Sequence, residues 1–384
     1  MSSQTTGPIV GATRPAAPDL DSASLVAQQA DAHTLPKGFP VKLDNKLAWV
    51  GSDFKGPQDY VYHLTASDLS EISQAITHFK ALGLDGEYVS RDTFPLPLLA
   101  AKLDQLSAEV HNGRGFCLVR GINPNDYSIE DLTLVYLGVQ AHIADQRGHQ
   151  DNRGNMLVHI IADKTSETST EHHRHSNKSI TFHTEETGDV VSWLTRNTAS
   201  SGGQCILASA YTIYNALAAS RPDLLRLLTR ADWPFAFPHF QCRPIIFNED
   251  SKVMMNFGRT PLLGNAIHPR PKNLPKVSSR QVEALDAIEA IAKATQLEIT
   301  TQAGDMHFVN NLAVLHRRES FQDGSAPMEK RHLVRMRLRS SQLGWKLPQE
   351  LQGEWDNDFD EEHPRVWHIE PMPESFFPLR KYPN

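Results

Sequence analysis

Three stretches pair a histidine with a carboxylate two positions on: His149-Gln150-Asp151, His183-Thr184-Glu185 and His368-Ile369-Glu370. On an extended backbone, residues two apart leave the same face, so an imidazole and a carboxylate so spaced can grip one metal ion. They would be two thirds of a 2-His-1-carboxylate site, which holds Fe(II) and leaves positions open for other ligands. Chance alone makes such pairs: 18 His and 45 acidic residues among 384 give roughly two matches. Context therefore has to choose. The first pair lies in a polar, Gly-rich loop over residues 147–155, and the third lies in a Pro-rich tail. Only the middle pair ends a strand-like run, residues 179–185, with alternating apolar positions and neither Gly nor Pro. A second strand pattern, residues 190–194, follows it.

A third ligand must come from elsewhere. His316 ends the apolar run 312–315 and opens the polar His316-Arg317-Arg318, so the core can hold it while it points into a cavity. His307, inside the strand pattern 305–309, is the rival. His172-His173-Arg174-His175 looks like a metal cluster but reads better as a polar loop leading into the metal strand. A zinc deaminase would need Pro-Cys-x-x-Cys downstream, and Cys117, Cys205 and Cys242 do not supply it.

The elements that must position these residues are legible from periodicity. Leu69, Ile72, Ile76 and Phe79 mark a helix, with Thr65 and Asp68 as a capping box; Leu99, Leu103, Leu106 and Val110 mark a second. A strand is expected over 115–121, a helix over 129–144, and strands over 156–161 and 204–208 after a turn at Ser201-Gly202-Gly203. Residues 211–228 read as helix interrupted at Pro222, and residues 279–295 as an amphipathic helix. The Pro-rich stretch between them reads as an inserted excursion, 230–295 at its widest, and not as a compact unit. Residues 331–339 alternate cleanly, with His332, Val334, Met336 and Leu338 opposite Arg331, Leu333, Arg335, Arg337 and Arg339. Residues 1–45 are rich in Ser, Thr, Ala and Pro and read as a flexible arm, leaving 46–384 as one catalytic domain with a C-terminal extension over 345–384.

Composition excludes several classes. Hydrophobic content of 40% and charged content of 22% are those of a globular protein with a sizeable core. A net charge of -7 without a Lys/Arg run argues against nucleic acid or an anionic membrane as partner. Three scattered cysteines, no long apolar run and no signal-peptide pattern fit a cytoplasmic protein. Oligomeric state is not readable.

The ordered set Phe182-His183-Thr184-Glu185, Gly202-Gly203, Gly304-Asp305, Asn310-Asn311, His316-Arg317-Arg318 and Lys330-Arg331-His332-Leu333-Val334-Arg335 resembles the TauD/TfdA-type Fe(II)/2-oxoglutarate-dependent dioxygenases, a group that includes taurine dioxygenase and clavaminate synthase. The resemblance covers roughly residues 110–345, is closest in texture to fungal members, and shares Glu in place of Asp with clavaminate synthase. It implies an α+β fold with a double-stranded β-helix, or jelly-roll, core and flanking helices. It implies His183, Glu185 and His316 as iron ligands, 2-oxoglutarate and O2 as cosubstrates, and Arg331 as the holder of the cosubstrate's distal carboxylate. Arg335 matches a position that takes an anionic group of the substrate. The two arginines lie about 13 Å apart along a strand at ~3.3 Å per residue, so they can serve two anions. Arg337 and Arg339 are expected on a solvated strand face. Many members carry Thr where this chain has Cys205, a weak donor at the cosubstrate site. Ser176 and Asn177, in the loop that borders the substrate, are substrate-site candidates.

The resemblance implies oxidation of an unactivated C–H bond of a small anionic substrate, an amino acid or related carboxylate, with secondary metabolism as the expected setting. Hydroxylation, desaturation and oxidative ring closure such as aziridine formation all remain open. The competing readings are a non-catalytic jelly-roll binding protein, which Arg331 and the triad disfavour, and a zinc-dependent hydrolase. The arm's composition cannot bury much apolar surface. Deleting residues 2–30 is therefore expected to leave 2-oxoglutarate turnover within a few-fold, and a folded but inactive truncation would contradict that.

Overall fold

A computed structural model describes residues 34–162, 176–265 and 268–371. Residues 1–33 of the expected arm and the cluster His172-His173-Arg174-His175 lie outside the described residues. In chain order come β1 (Val61–His63), helices Ala66–Ala81 and Ala100–Asn112, β2 (Phe116–Arg120), helix Ile129–Ala141, β3 (Gln146–Gly148), β4 (Val158–Ile161), β5 (Ile180–His183) and β6 (Val190–Asn197). Then follow β7 (Ser201–Gly202), β8 (Cys205–Ser209), helices Ala210–Ser220 and Pro222–Leu228, β9 (Trp233–Phe235), β10 (Gln241–Arg243), β11 (Ile246–Glu249), β12 (Lys252–Met255), and helices Arg259–Leu263 and Ser279–Thr295. The chain continues through β13 (Leu297–Ile299), β14 (Met306–Asn310), β15 (Val314–Arg318), β16 (Phe321–Gln322), β17 (His332–Arg339) and helix Gln349–Asp358.

Two sheets face each other as the walls of a jelly roll. One runs β1-β2-β14-β6-β17-β3, with β4 also on β17; the other runs β13-β8-β15-β5. Only β1 and β2 pair in parallel within them; the other pairs are antiparallel. Alternation along each strand sorts its residues between two environments. On the larger sheet Val190, Leu194, Met306, Phe308, Val334, Met336 and Leu338 point outward, under Ile72, Phe79, Leu103, Val110 and Val135 of the first three helices. Val191, Trp193, Val309 and Leu333 point inward and meet Cys205, Leu207 and Val314 of the smaller sheet. The smaller sheet's outer face, Ile206, Ala208 and Leu315, is covered by Ile213, Leu217, Leu224, Leu285 and Ile288. The architecture is thus helices, sheet, sheet, helices, and the expected α+β jelly roll with flanking helices is what forms.

Local signals behave as their chemistry requires. The Thr65 hydroxyl accepts from the Asp68 amide at 3.2 Å, while Asp68 accepts from the Thr65 amide at 2.7 Å, so two orphan donors of the first helix are satisfied. Gly202 and Gly203 are more than a turn: with φ of +73° and +75° they lay the backbone against residues 320–321, and β7 pairs with β16 there.

Two expectations change. The Pro-rich stretch does not stand apart. It folds into the hairpins β9/β10 and β11/β12, and Trp233, Phe235, Ile246, Met254 and Phe257 join the cluster under helices Ala210–Ser220 and Ser279–Thr295. Pro234 sits within β9 and is buried there, so proline does not prevent burial. Of the expected arm, residues 35–45 are docked: Leu43 is buried, Leu35 and Phe39 pack on the same cluster, and Asn215 brackets the Leu43 amide and carbonyl at 2.7 and 2.8 Å. The apolar spacing of Leu35, Phe39 and Leu43 was hidden by a polar average.

Burial keeps several histidines neutral. It pushes His142 and His159 down to about 4, His307 to about 3 and His332 to about 2, and lowers His111 as well. Against an ordinary 6.5, the unfolded chain binds more protons than the folded one between the two values. Folded pKa values below unfolded ones mean that stability is complete above about 6.5 and lost as pH falls toward 4. Asp189, raised by burial to about 6, and Glu354, also raised by burial, oppose this with two groups. The thermal unfolding midpoint is expected to drop between pH 7 and pH 5; a level or rising midpoint would show that these rings are not held neutral.

Candidate active site

The antiparallel pairing of β15 with β5 sets His316 directly opposite His183, which brings the ring centroids to 4.3 Å. Glu185, two residues past His183, turns its carboxylate to the same point. One donor atom from each of His183, Glu185 and His316 lies within 4.8 Å of the others, and His316 Nε2 is 3.8 Å from Glu185 Oε1. The Nδ1 of His183 lies 2.9 Å from the Thr181 carbonyl. A carbonyl can only accept, so Nδ1 carries the proton and Nε2 keeps its lone pair for a metal. Two imidazoles and one carboxylate fit a divalent iron and leave part of its coordination sphere free. Neither His307 nor the pair His149 and Asp151 belongs to this group.

The carboxylate is held from both ends. Its backbone amide donates to Asn311 Oδ1 at 2.7 Å, and Asn311 Nδ2 returns bonds to the carbonyls of Glu185, Thr187 and Gly188 at 3.1, 3.4 and 3.0 Å. Asn256 adds a bond to the Glu185 carbonyl at 3.3 Å. Arg335 forms an ion pair with Glu185 Oε1, and its other nitrogen reaches Gln150 at 3.2 Å. Arg337 lies 3.7 Å from Glu185 Oε2, 3.4 Å from Glu186 and 2.8 Å from Asp358 of the C-terminal helix. Arg337 was expected on a solvated face. Its side chain is fully buried, because β17 pairs with β6, β3 and β4 and is no edge strand.

The triad opens into a cavity of about 350 Å³ between the sheets, lined also by Trp193, Thr195, Cys205, Arg259, Arg317, Arg318, Arg331, Leu333 and Arg335, at the small end of pockets for small molecules, roughly 300–1,000 Å³. Four of its five arginines are engaged. Arg259 pairs with Asp286 at 2.7 Å, Arg317 with Glu319 at 2.7 Å, Arg335 with Glu185, and Arg318 donates to the carbonyls of Ser176 and Lys178. Arg331 differs. Among the described residues nothing accepts from its guanidinium, which lies over the Phe321 ring at 5.3 Å and against Gly203, whose missing Cβ would sit 3.4 Å from Arg331 Nε. Burial lowers Arg331 only to about 10, so it is a cation at neutral pH.

The other expected residues fall into place unevenly. Cys205 lines the cavity near Arg331, and burial pushes its thiol up to about 12, so it stays a thiol. Ser176 and Asn177 are not among the cavity-lining residues; their carbonyls accept from Arg318 at 2.7 Å and from the Phe321 amide at 3.0 Å, fastening the loop to β15 and β16. His307 is 1% exposed and stacks on Trp193 at 4.8 Å, behind the wall of the site. Sequence reasoning missed Asn256, Gln150 and Thr195. Asn311 was visible within a motif, but nothing in the motif says that it ties down Glu185.

Residues 79–337 match the family described as "Taurine catabolism dioxygenase TauD, TfdA family". The chain is similar to the taurine hydroxylase-like protein SAT17 of Stachybotrys chartarum, 34% identical over 347 residues that span 86% of this chain and 89% of the relative. It is 23% identical over 306 residues to the FR-33289 synthase of Streptomyces rubellomurinus, covering 76% and 88% of the two chains. Among solved structures, asparagine oxygenase with Fe(II), 3-hydroxyasparagine and succinate superposes with a TM-score of 0.58 at 14% identity, covering 73% of this chain and 93% of the other. The non-heme iron oxygenase OrfP with Fe, succinate and (3S)-hydroxy-L-Arg gives 0.55 at 14%, covering 73% and 94%.

Removing one member of a buried charge network strands the others. Arg337→Leu is expected to lower stability in urea unfolding by about 3–5 kcal/mol. Arg339→Leu, whose guanidinium is 28% exposed and 3.8 Å from Asp189, is expected to cost under about 1 kcal/mol. Equal effects would mean that the network is not what distinguishes the two.

Proposed function

The chain belongs to the TauD/TfdA dioxygenase family, and from that premise we propose that it oxidises a C–H bond of a small amino acid or related carboxylate, with His183, Glu185 and His316 as the iron ligands. Enzymes of this family use Fe(II), 2-oxoglutarate and O2, and the bound iron supplies the oxidising chemistry. The observation that carries the residue roles is Arg331: a buried cation without an acceptor, facing the same cavity as two imidazoles and a carboxylate. A guanidinium so placed suits the far carboxylate of 2-oxoglutarate, gripped bidentately. Phe321 and Gly203 pack against it, and Trp193 and Leu333 give the cavity an apolar wall.

Arg335 takes two roles in this reading. Its ion pair orients the Glu185 carboxylate, and its place on the cavity wall suits it to attract the anionic group of the substrate. The amino acids named with asparagine oxygenase and OrfP are consistent with a substrate of that class. The strand pairing sets His183 and His316 opposite each other, so both rings already face the proposed metal position.

Anaerobic titration separates the roles. His183→Ala or His316→Ala is expected to abolish stoichiometric Fe(II) binding, whereas His307→Ala keeps it. Arg331→Leu should weaken 2-oxoglutarate ten- to a thousand-fold, at about 1.4 kcal/mol per factor of ten. Arg335→Leu should weaken the substrate found by screening amino acids for succinate release, and weaken iron several-fold through Glu185, with 2-oxoglutarate affinity at saturating iron nearly unchanged. Loss of 2-oxoglutarate binding in the Arg335 variant alone would reverse the assignment of the two arginines.

A further inference from the structure

The end of the cavity around Arg331 is short of one donor. A carboxylate offers about four lone-pair sites, and Arg331 covers at most one edge of it. The neighbour placed to cover another is Cys205, a thiol and therefore a weak donor. Burial keeps it protonated, so it offers neither a strong hydrogen bond nor a charge.

The same cavity offers a hydroxyl. Thr195, on β6, lines the same cavity and is 1% exposed, and its Oγ1 has no hydrogen-bond partner among the described residues. The backbone around it is fully used: its amide donates to the Asp305 carbonyl at 2.8 Å and its carbonyl accepts from Gly304 at 2.8 Å, so the residue cannot drift. Thr195 pairs with Leu333 of β17, the register shifts between Leu333 and His332, and Thr195, Leu333 and Arg331 all line the one cavity. Its diagonal neighbour on β14, His307, leaves both ring nitrogens without a partner, so Thr195 is not committed there either. A buried hydroxyl without a partner is uncommon in folded proteins, and this one belongs to the wall that an unpaired guanidinium also faces.

We propose that the Thr195 hydroxyl donates to the 2-oxoglutarate carboxylate held by Arg331, replacing from β6 the hydroxyl that Cys205 fails to supply from β8. This rests on the reading of Arg331 given above. It makes the cosubstrate site of this chain a clamp between β6 and the residue that leads into β17, with β8 contributing shape alone.

The test is calorimetric titration of 2-oxoglutarate into the full-length, iron-loaded protein without oxygen, with Fe(II) affinity measured in parallel. Thr195→Val, nearly the same shape, is expected to raise the dissociation constant about ten-fold or more and to leave Fe(II) affinity unchanged. Thr195→Ser should stay close to wild type. Adding Cys205→Thr to Thr195→Val should recover most of the loss, because either hydroxyl can reach the same carboxylate. Unchanged affinity in Thr195→Val, beside a weakened Arg331→Leu, overturns the role of Thr195 and leaves that of Arg331 intact. Failure of Cys205→Thr to restore binding overturns the claim that the two positions serve one carboxylate. If Arg331→Leu also binds normally, both readings fall together.

Discussion

A carboxylate buried between two arginines is the constraint on which the site depends. Glu185 is 3% exposed, and an ionised group so far from water is costly unless countercharge and hydrogen bonds surround it. Arg335 and Arg337 supply the countercharge from alternate positions of one strand, and their own surplus is met by Glu186 and Asp358. The strand carrying them must therefore be interior. That explains why β17 is flanked by β6 on one side and by β3 and β4 on the other, and why Asn311 and Asn256 are spent on the backbone of a single short segment. Iron, a second positive centre, would enter a pocket already balanced to hold one negative group in place.

What was legible in the sequence was whatever a period of two or of about four residues could carry. The outward Val334, Met336 and Leu338 and the first three helices follow from such periods, as does the shared face of His183 and Glu185. His316 needed more, since nothing local says that a histidine 133 positions away sits opposite His183; the resemblance supplied the pairing that β15 and β5 then make. The charges were the least legible. Alternating arginines on a strand look the same whether they face water or a buried acid, and the acids that answer Arg337 come from residue 186 and from residue 358. The same blindness hid Thr195, whose significance lies in having no partner.

Polar averages misled at both margins. The Pro-rich stretch and residues 35–45 each look like loop by composition, yet each places a few large apolar side chains at the right intervals to join the cluster around Trp233 and Tyr214. A core can recruit a segment through three or four anchors and leave the rest of it polar.

The C-terminal helix has a further consequence. The family match ends at residue 337, but Asp358 of that helix holds Arg337 and Thr187, and Trp355 donates to Asp189 at 3.0 Å. Where a sequence family stops being recognisable is thus not where this protein stops being one mechanical piece. The helix works as a keystone, because the acid it carries answers an arginine that has no access to water.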